Sequence, residues 1–371
     1  MIYDLVIVGG GASAMMLSSL LDKKLKVCIV EQNRSLGEKI RISGGGKCNI
    51  TNLYVSSDNY LGDSEFVQKV LDRYSNSWLL EYLNVHSLAP VLKKDNCYFC
   101  KNSSLEILDV FHSQIRNIKK IMNTKVEKVT KKDNVFILKT DKDEIRSSSL
   151  VIASGSKSYP RIGGSDIGLD IAKYFGHSLS EFEPALVGFT VQPEQFWFKS
   201  LTGISLEATA TVDDKTFSGA ILFTHKGISG PLILNLSLYW KRGKIEFDFL
   251  NGAILSKNLN LPKRFLKAYL ESIEGNDRQK KLNGLKSYSF SPAGNFGFTK
   301  AEASRGGVNT AEIDVYTMQS KLVRGLYFIG EVMDVTGELG GYNLQWAFSS
   351  AAVCAESFAR SLINNVYRVT H

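Results

Sequence analysis

The chain has 371 residues, 44% hydrophobic and 22% charged, with a net charge of +8; this balance fits a globular protein with a sizeable core and excludes wholesale disorder. No apolar run approaches the ~18 residues that span a bilayer, and Leu5–Val8 is too short for a signal peptide, so a soluble, cytoplasmic protein with no membrane partner is expected. Between residues 186 and 300 fifteen Lys/Arg face nine Asp/Glu. Most of the surplus charge therefore lies in one central segment, which suits a polyanion; a solvated basic surface is the plain alternative.

In chain order, YDLVIV (Tyr3–Val8) reads as a strand, GGGASAMMLSSLL as turn and helix, and KVCIVE as a second strand ending at Glu31. Strand, glycine turn, helix and strand in about thirty residues make a βαβ unit of a parallel sheet. Ser64–Leu83 has helical apolar spacing. Ser103-Ser-Leu-Glu106 suggests a capping box before a helix marked by Ile107, Leu108, Phe111, Ile115 and Ile118. Residues 123–153 read as short strands ending in LVIASG. After Pro184 the alternating SLEATATV and KIEFDF predict half-buried strands, and LPKRFLKAYLESI predicts a helix. Near Thr299 the glycine-marked α/β texture returns. The expected organisation is a discontinuous Rossmann-like domain, 1–185 with 299–371, and a basic β-rich insert with a short helical part, 186–298.

Gly9-Gly-Gly11-Ala12-Ser13-Ala14 fits GxGxxG/A after a strand and opening a helix. Gly9 permits the tight turn, Gly11 lets backbone approach a pyrophosphate, and Ala14 allows close helix–strand packing. The helix N-terminus, with Ala12 and Ser13, offers free N–H groups to phosphate. Glu31, followed by Gln32, falls where a carboxylate can accept ribose hydroxyls, favouring FAD or NAD. Two later strand ends favour FAD: Leu150–Ile152 runs into Ala153-Ser154-Gly155, and GLYFIGE ends in Gly330-Glu331, with Asp334 close behind. Gly340-Gly341-Tyr-Asn343, then Leu344, opens a last helix whose N-terminus can stabilise charge on a reduced flavin. No second fingerprint for NAD(P)H appears, so that reductant would visit the flavin transiently.

The stretch Arg41–Asn52, RISGGGKCNITN, combines a bare backbone with one thiol. Gly44, Gly45 and Gly46 would let N–H groups, Lys47 and Asn49 lie against phosphate or flavin. With Cys48 alone there, dithiol chemistry is not expected. Cys48 is instead a candidate general acid, since a thiol of pKa about 8.5 is mostly protonated at neutral pH; a small buried residue is the structural alternative. Lys39 is a candidate phosphate ligand. Five cysteines suit no disulfide framework, and Cys97-Tyr-Phe-Cys100 lacks the partners of a zinc site, so no metal is expected. His225 in THKGISGP is a candidate substrate or flavin-rim contact, or a turn residue.

SGGGKCNITN, ASGSKSYPRIGG, FTHKGISGP, SRGGV and GLYFIGEVMDVTGELGGYNLQWAFSS, in that order over nearly the whole chain, resemble the BaiN-like (YhiN- or RdsA-like) bacterial flavoproteins. The resemblance implies an α/β, glutathione-reductase-type FAD-binding three-layer fold on a parallel sheet, with an inserted mainly β domain, and an FAD-dependent oxidoreductase. It extends the expected FAD contacts to Val126. It implies as substrates large-subunit rRNA uridine reduced to dihydrouridine, an unsaturated bile acid, or aminoacetone. The basic insert and the lone thiol favour rRNA; a small-molecule oxidase or reductase and a non-catalytic flavin-bearing RNA-binding protein are the alternatives. Asn96-Cys-Tyr-Phe-Cys100 departs from the family's usual GRVFP.

Overall fold

The computed structural model describes residues 1–253, 260–275 and 277–369, with the backbone alone at 94 and 360–369. Two compact units form, Met1–Glu183 with Arg305–His371, and Pro184–Ser304.

In the first unit Ile2–Val8 pairs in parallel with Val27–Val30 and with Glu144–Ile152. Lys119–Ile121 extends the sheet beyond Val27–Val30, and Leu326–Phe328 lies parallel to Leu150–Ile152. These strands are short apolar runs with little alternation, as burial on both faces requires: Leu5, Val6, Ile7, Cys28, Ile29, Leu150, Val151 and Ile152 are fully buried. The first half of Glu144–Ile152 turns to a different partner, pairing antiparallel with Val135–Thr140, which hairpins with Val126–Lys132. Against the sheet packs a helical layer that includes Ala12–Leu20, Leu105–Gln114 and the last helix, Tyr342–Val369. Phe111 and Phe348, both fully buried, meet there with ring centroids 5.6 Å apart.

Two local expectations change. The Ser64–Leu83 segment is two helices, Ser64–Arg73 and Asn76–Val85, because the Ser75 hydroxyl accepts from Trp78 N–H and starts a new one. The capping box does not close: Glu106 accepts instead from Lys101 and Asn102 N–H (2.9 and 3.1 Å), and Ser104 donates to the Arg41 carbonyl (2.8 Å).

The second unit is a seven-stranded antiparallel sheet. Its order is Tyr288–Phe290, Ile245–Asp248, Ser205–Val212, Lys215–Thr224, Gly227–Ser229, Phe189–Val191, Pro292–Asn295. One apolar core holds it together, with Phe198, Phe223, Phe247, Phe265 and Phe290 almost wholly buried. Each such side chain contributes about 1.5–3 kcal/mol by leaving water. The helix Lys263–Ser272 buries Phe265 and Tyr269, one turn apart, and leaves Lys263, Arg264 and Lys267 exposed.

Candidate functional site

The carboxyl ends of three neighbouring parallel strands converge, the usual place for a ligand in an open α/β sheet. The first strand ends at Gly9, with φ +98°; a Cβ there would lie 2.5 Å from the Ala153 carbonyl oxygen. Only glycine lets that strand end so near its neighbour. Gly11 is different. Its φ is −81°, open to any residue, and a Cβ would meet nothing within 4 Å. The N-terminus of Ala12–Leu20 therefore faces free space, with Ser13 buried behind it. Gly155, at φ +68°, also faces nothing within 4 Å, just beyond Ala153 and Ser154. At Gly330 (φ +74°) a Cβ would press the Ser13 hydroxyl at 2.8 Å, and the Gly330 N–H donates to Ser350 (3.0 Å).

Glu31 ends the second strand, 7% exposed. Its two oxygens accept from Gly10 N–H (2.6 Å) and Asn33 N–H (2.7 Å). These charge-assisted bonds fix the carboxylate against the glycine turn and leave each oxygen a further lone pair. Gln32 donates to the Gly163 carbonyl (2.6 Å). Thr124 N–H donates to the Glu31 carbonyl (3.0 Å), so Val126, two residues on, is held near the same corner. Lys39, expected on phosphate, and Glu331, expected near FAD, form an ion pair with each other (2.8 Å), and Lys39 also donates to Ser158 (2.6 Å). Asp334 accepts from the Ser180 hydroxyl (2.7 Å).

The helix that opens at Glu38 loses helical geometry at Ser43, and Gly44, Gly45 and Gly46 all take positive φ. Gly45 and Gly46 face nothing within 4 Å, and Lys47 is exposed. The strand that follows, Asn49–Asn52, docks on the N-terminus of the last helix. A Cβ on Gly341 would touch the Thr51 backbone at 2.7 Å. Asn52 donates to the Gly340 carbonyl (3.2 Å), and Thr51 to Gln345 (2.6 Å). Asn343 clamps Gly337, accepting from its N–H (2.9 Å) and donating to its carbonyl (2.8 Å), while Leu344 is half-buried in the same first turn.

Cys48 lies between the glycine run and this strand, fully buried, at φ +48°. That conformation costs a non-glycine residue about 1–2 kcal/mol. Opposite it stands Cys100, also fully buried. The antiparallel register pairs Asn49 with Phe99, so the next residue on each side is Cys48 and Cys100. Cys100 N–H donates to the Lys47 carbonyl (3.0 Å) and, at longer range, to the Cys48 carbonyl (3.4 Å). The neighbouring Cys100 thiol, with burial, pushes the Cys48 thiol well above its ordinary range, while the Cys48 thiol pulls Cys100 down. The expectation of a lone thiol here is thus corrected: the second one comes from the Cys-x-x-Cys run, which no sequence spacing ties to Cys48. Cys97, the other member, bonds to Asn49 and Asn52. Asn49 Oδ1 is buried without a hydrogen-bond partner among the described residues.

His225 is exposed in the turn between Lys215–Thr224 and Gly227–Ser229 of the second unit. Among the described residues no helix is long and apolar enough to cross a membrane, and no three His, Cys, Asp or Glu side chains group to hold a metal.

The residues fit a flavin dinucleotide. A side chain on Gly11 or Gly155 would fill open space beside a helix N-terminus and a strand end, where backbone N–H groups can meet phosphate. Glu31, held by Gly10 and Asn33 N–H, keeps lone pairs that could accept ribose hydroxyls, and the orphan Asn49 oxygen could accept from an N–H donor such as a flavin ring supplies.

Residues 3–357 match the model of the HI0933-like protein Rossmann domain. The ribosomal RNA dihydrouridine synthase of Escherichia coli (strain K12) is 34% identical, over 95% of this chain and 97% of its own. The 3-dehydro-bile acid delta(4,6)-reductase of Clostridium scindens is 25% identical, over 95% and 98%. Among solved structures, the 3-ketosteroid-delta4-(5alpha)-dehydrogenase of Rhodococcus jostii RHA1 shares the fold at a TM-score of 0.52 and 13% identity, covering 95% of this chain and 96% of that one. The chain belongs to the HI0933-like family of Rossmann-domain proteins and is an FAD-dependent oxidoreductase.

Proposed function

We propose that the protein reduces a uridine of large-subunit ribosomal RNA to dihydrouridine, with NAD(P)H as the transient source of electrons. The observation that carries this reading is the full-length similarity to ribosomal RNA dihydrouridine synthases, 34% and 33% identical, from Escherichia coli and Haemophilus influenzae. The second unit adds support of a different kind. Lys263, Arg264 and Lys267 are exposed on one helix, and Lys199 lies over the ring of the half-exposed Phe196, 3.5 Å from its centroid. Cations beside an accessible aromatic face suit a single-stranded backbone and its bases.

Bound FAD, once reduced, supplies the hydride for one carbon of the uracil C5=C6 bond. The other carbon needs a proton. Cys48 keeps its proton at neutral pH, since the neighbouring Cys100 thiol and its burial both oppose ionisation. It is fully buried, and its N–H donates to the Ser43 carbonyl (3.0 Å). Gly45 and Gly46 leave the adjoining backbone unshielded for a flat ligand. Lys47 and the N-terminus of the last helix favour negative charge there.

The test is direct. Purified FAD-loaded protein is given NAD(P)H and large-subunit rRNA lacking dihydrouridine, and nucleosides are weighed by mass spectrometry. One uridine should gain two hydrogens. Flavin reduction by NAD(P)H with no such gain in any nucleoside would reject the rRNA reading. The bile-acid relative favours a second reading, reduction of a small unsaturated ketone; consumption of such a ketone with rRNA left unchanged would support it.

A further inference from the structure

We infer that the turn Lys241–Lys244, at one end of the second unit's sheet, is a contact surface for the phosphate backbone of single-stranded RNA, apart from the helix Lys263–Ser272. The inference deepens the rRNA reading and rests on it. The turn reads Lys241-Arg242-Gly243-Lys244, and all four residues are exposed. It joins the helix Pro231–Tyr239 to the strand Ile245–Asp248. Its shape is fixed from within the unit. Trp240 Nε1 donates to the Gly243 carbonyl (3.1 Å), and Gly243 takes φ +93° with open space where a Cβ would stand. Trp240 in turn lies edge-on against the buried Phe189, ring centroids 5.0 Å apart. The backbone carrying the cations is thereby held while their side chains stay in solvent.

The fold itself leaves these charges unmatched. Among the described residues no ion pair engages Lys241, Arg242 or Lys244. Asp213 and Asp214 are exposed on the neighbouring hairpin, between Ser205–Val212 and Lys215–Thr224, and form no ion pair with the turn. Glu246, on the strand itself, accepts from the Ser287 hydroxyl (3.2 Å). Lys215 adds a further cation at this end, 5.4 Å from the ring centroid of Tyr239. Like charges crowded on so few residues repel one another, so an anion from outside stabilises them. Successive phosphates of one strand meet several such cations at once and release their counterions. The ordered backbone lowers the entropy lost when they do.

The two basic surfaces lie at opposite ends of one strand. Lys244 precedes Ile245, whereas Phe249 follows Asp248 and packs on Phe265 of the basic helix, ring centroids 5.0 Å apart. The four residues of the strand separate them by about 13 Å. A stacked strand rises about 3.4 Å per nucleotide, so one strand reaching both surfaces covers about four nucleotides or more.

The experiment uses full-length, FAD-loaded protein and a single-stranded fragment of large-subunit rRNA, with affinity read by fluorescence anisotropy over a series of salt concentrations. Lys241→Ala, Arg242→Ala and Lys244→Ala together should make the slope of log K against log salt shallower by about 2, at about 0.7 per phosphate contact. Lys241→Arg with Lys244→Arg should keep the wild-type slope. Adding Lys263→Ala and Lys267→Ala to the triple variant should lower the slope further, the two losses summing. All five positions are exposed, so urea midpoints should match wild type. An unchanged slope in the triple variant would overturn the proposal, and dihydrouridine formed by wild type would then leave the rRNA reading standing. A reduced slope with no dihydrouridine formed would reject the rRNA reading and keep the turn as an RNA contact. Wild type that binds no RNA at any salt would overturn both.

Discussion

Replacing Gly11 with threonine separates what the glycine turn does for the protein from what it does for the ligand. At this position φ is −81°, ordinary for threonine, and an added Cβ meets no atom within 4 Å. Gly11 is the N-cap of Ala12–Leu20, where threonine serves about as well as glycine, and no side-chain cap is lost. The apoprotein should therefore unfold within about 0.5 kcal/mol of wild type. The ligand fares otherwise. Three extra heavy atoms would stand where a pyrophosphate must approach, separating it from the N–H groups of the helix end. Charge-assisted hydrogen bonds contribute about 1.5–3 kcal/mol each. Losing two costs about 3–6 kcal/mol, or about 10²–10⁴-fold in affinity. Urea unfolding of apoprotein and quenching of FAD fluorescence measure the two quantities. An FAD affinity within about threefold of wild type would refute a pyrophosphate over Gly11. A loss of apoprotein stability above about 2 kcal/mol would refute the open space assigned to it.

Gly9→Ala should do the reverse, costing apoprotein about 3 kcal/mol in urea, since its Cβ meets the Ala153 carbonyl at 2.5 Å and φ is +98°. Glu31→Gln sets an amide N–H against the Gly10 or the Asn33 N–H, so apoprotein should lose about 1–3 kcal/mol and FAD should bind more weakly, both readable by the same two assays. Burial lowers the pKa of His177, against the opposing pull of Glu312. The unfolded chain then binds more protons below about pH 6.5, and stability should fall as pH drops from there towards the folded value. His177→Gln should flatten that part of the pH profile of urea midpoints, and an unchanged slope would sink the assignment. On the rRNA reading, Lys263→Ala with Lys267→Ala should cut the slope of log K against log salt for single-stranded RNA by about 0.7 per lost contact; an unchanged slope would remove this helix from the RNA surface.

The parts of the site that were legible in the sequence are those whose meaning is local. Gly9, Gly11 and Glu31 sit at fixed distances along one strand–turn–helix–strand unit, so their spacing carries their roles. Alternation in SLEATATV and KIEFDF likewise survives as neighbouring antiparallel strands, Ser205–Val212 and Ile245–Asp248. What escaped depends on pairings between distant segments. Cys100 meets Cys48 only through the register of Asn49–Asn52 on Cys97–Phe99, and register is set by tertiary packing. Lys39 and Glu331 each read as a ligand contact because either is a lone charge in sequence; their ion pair spans 292 residues. The unclosed capping box is a smaller instance, since Ser104 was drawn to Arg41, a partner 63 residues away.

The glycines of the site fall into two groups by what a side chain would strike, and this division bears on where chemistry can occur. At Gly9, Gly330 and Gly341 it would strike protein: a carbonyl at 2.5 Å, a hydroxyl at 2.8 Å, a backbone at 2.7 Å. These positions bring the first strand, the late strand and the last helix together, and any substitution is resisted by the fold itself. At Gly11, Gly45, Gly46 and Gly155 it would strike nothing within 4 Å. Folding gains nothing from glycine at Gly11, where φ is ordinary, so its absence of a side chain is useful only to something outside the chain. The open set takes in the N-terminus of Ala12–Leu20, the strand end at Gly155, and Gly45 and Gly46. A ligand laid along the open glycines would run from the Glu31 carboxylate to the backbone of Gly45 and Gly46, where no side chain of the protein intervenes.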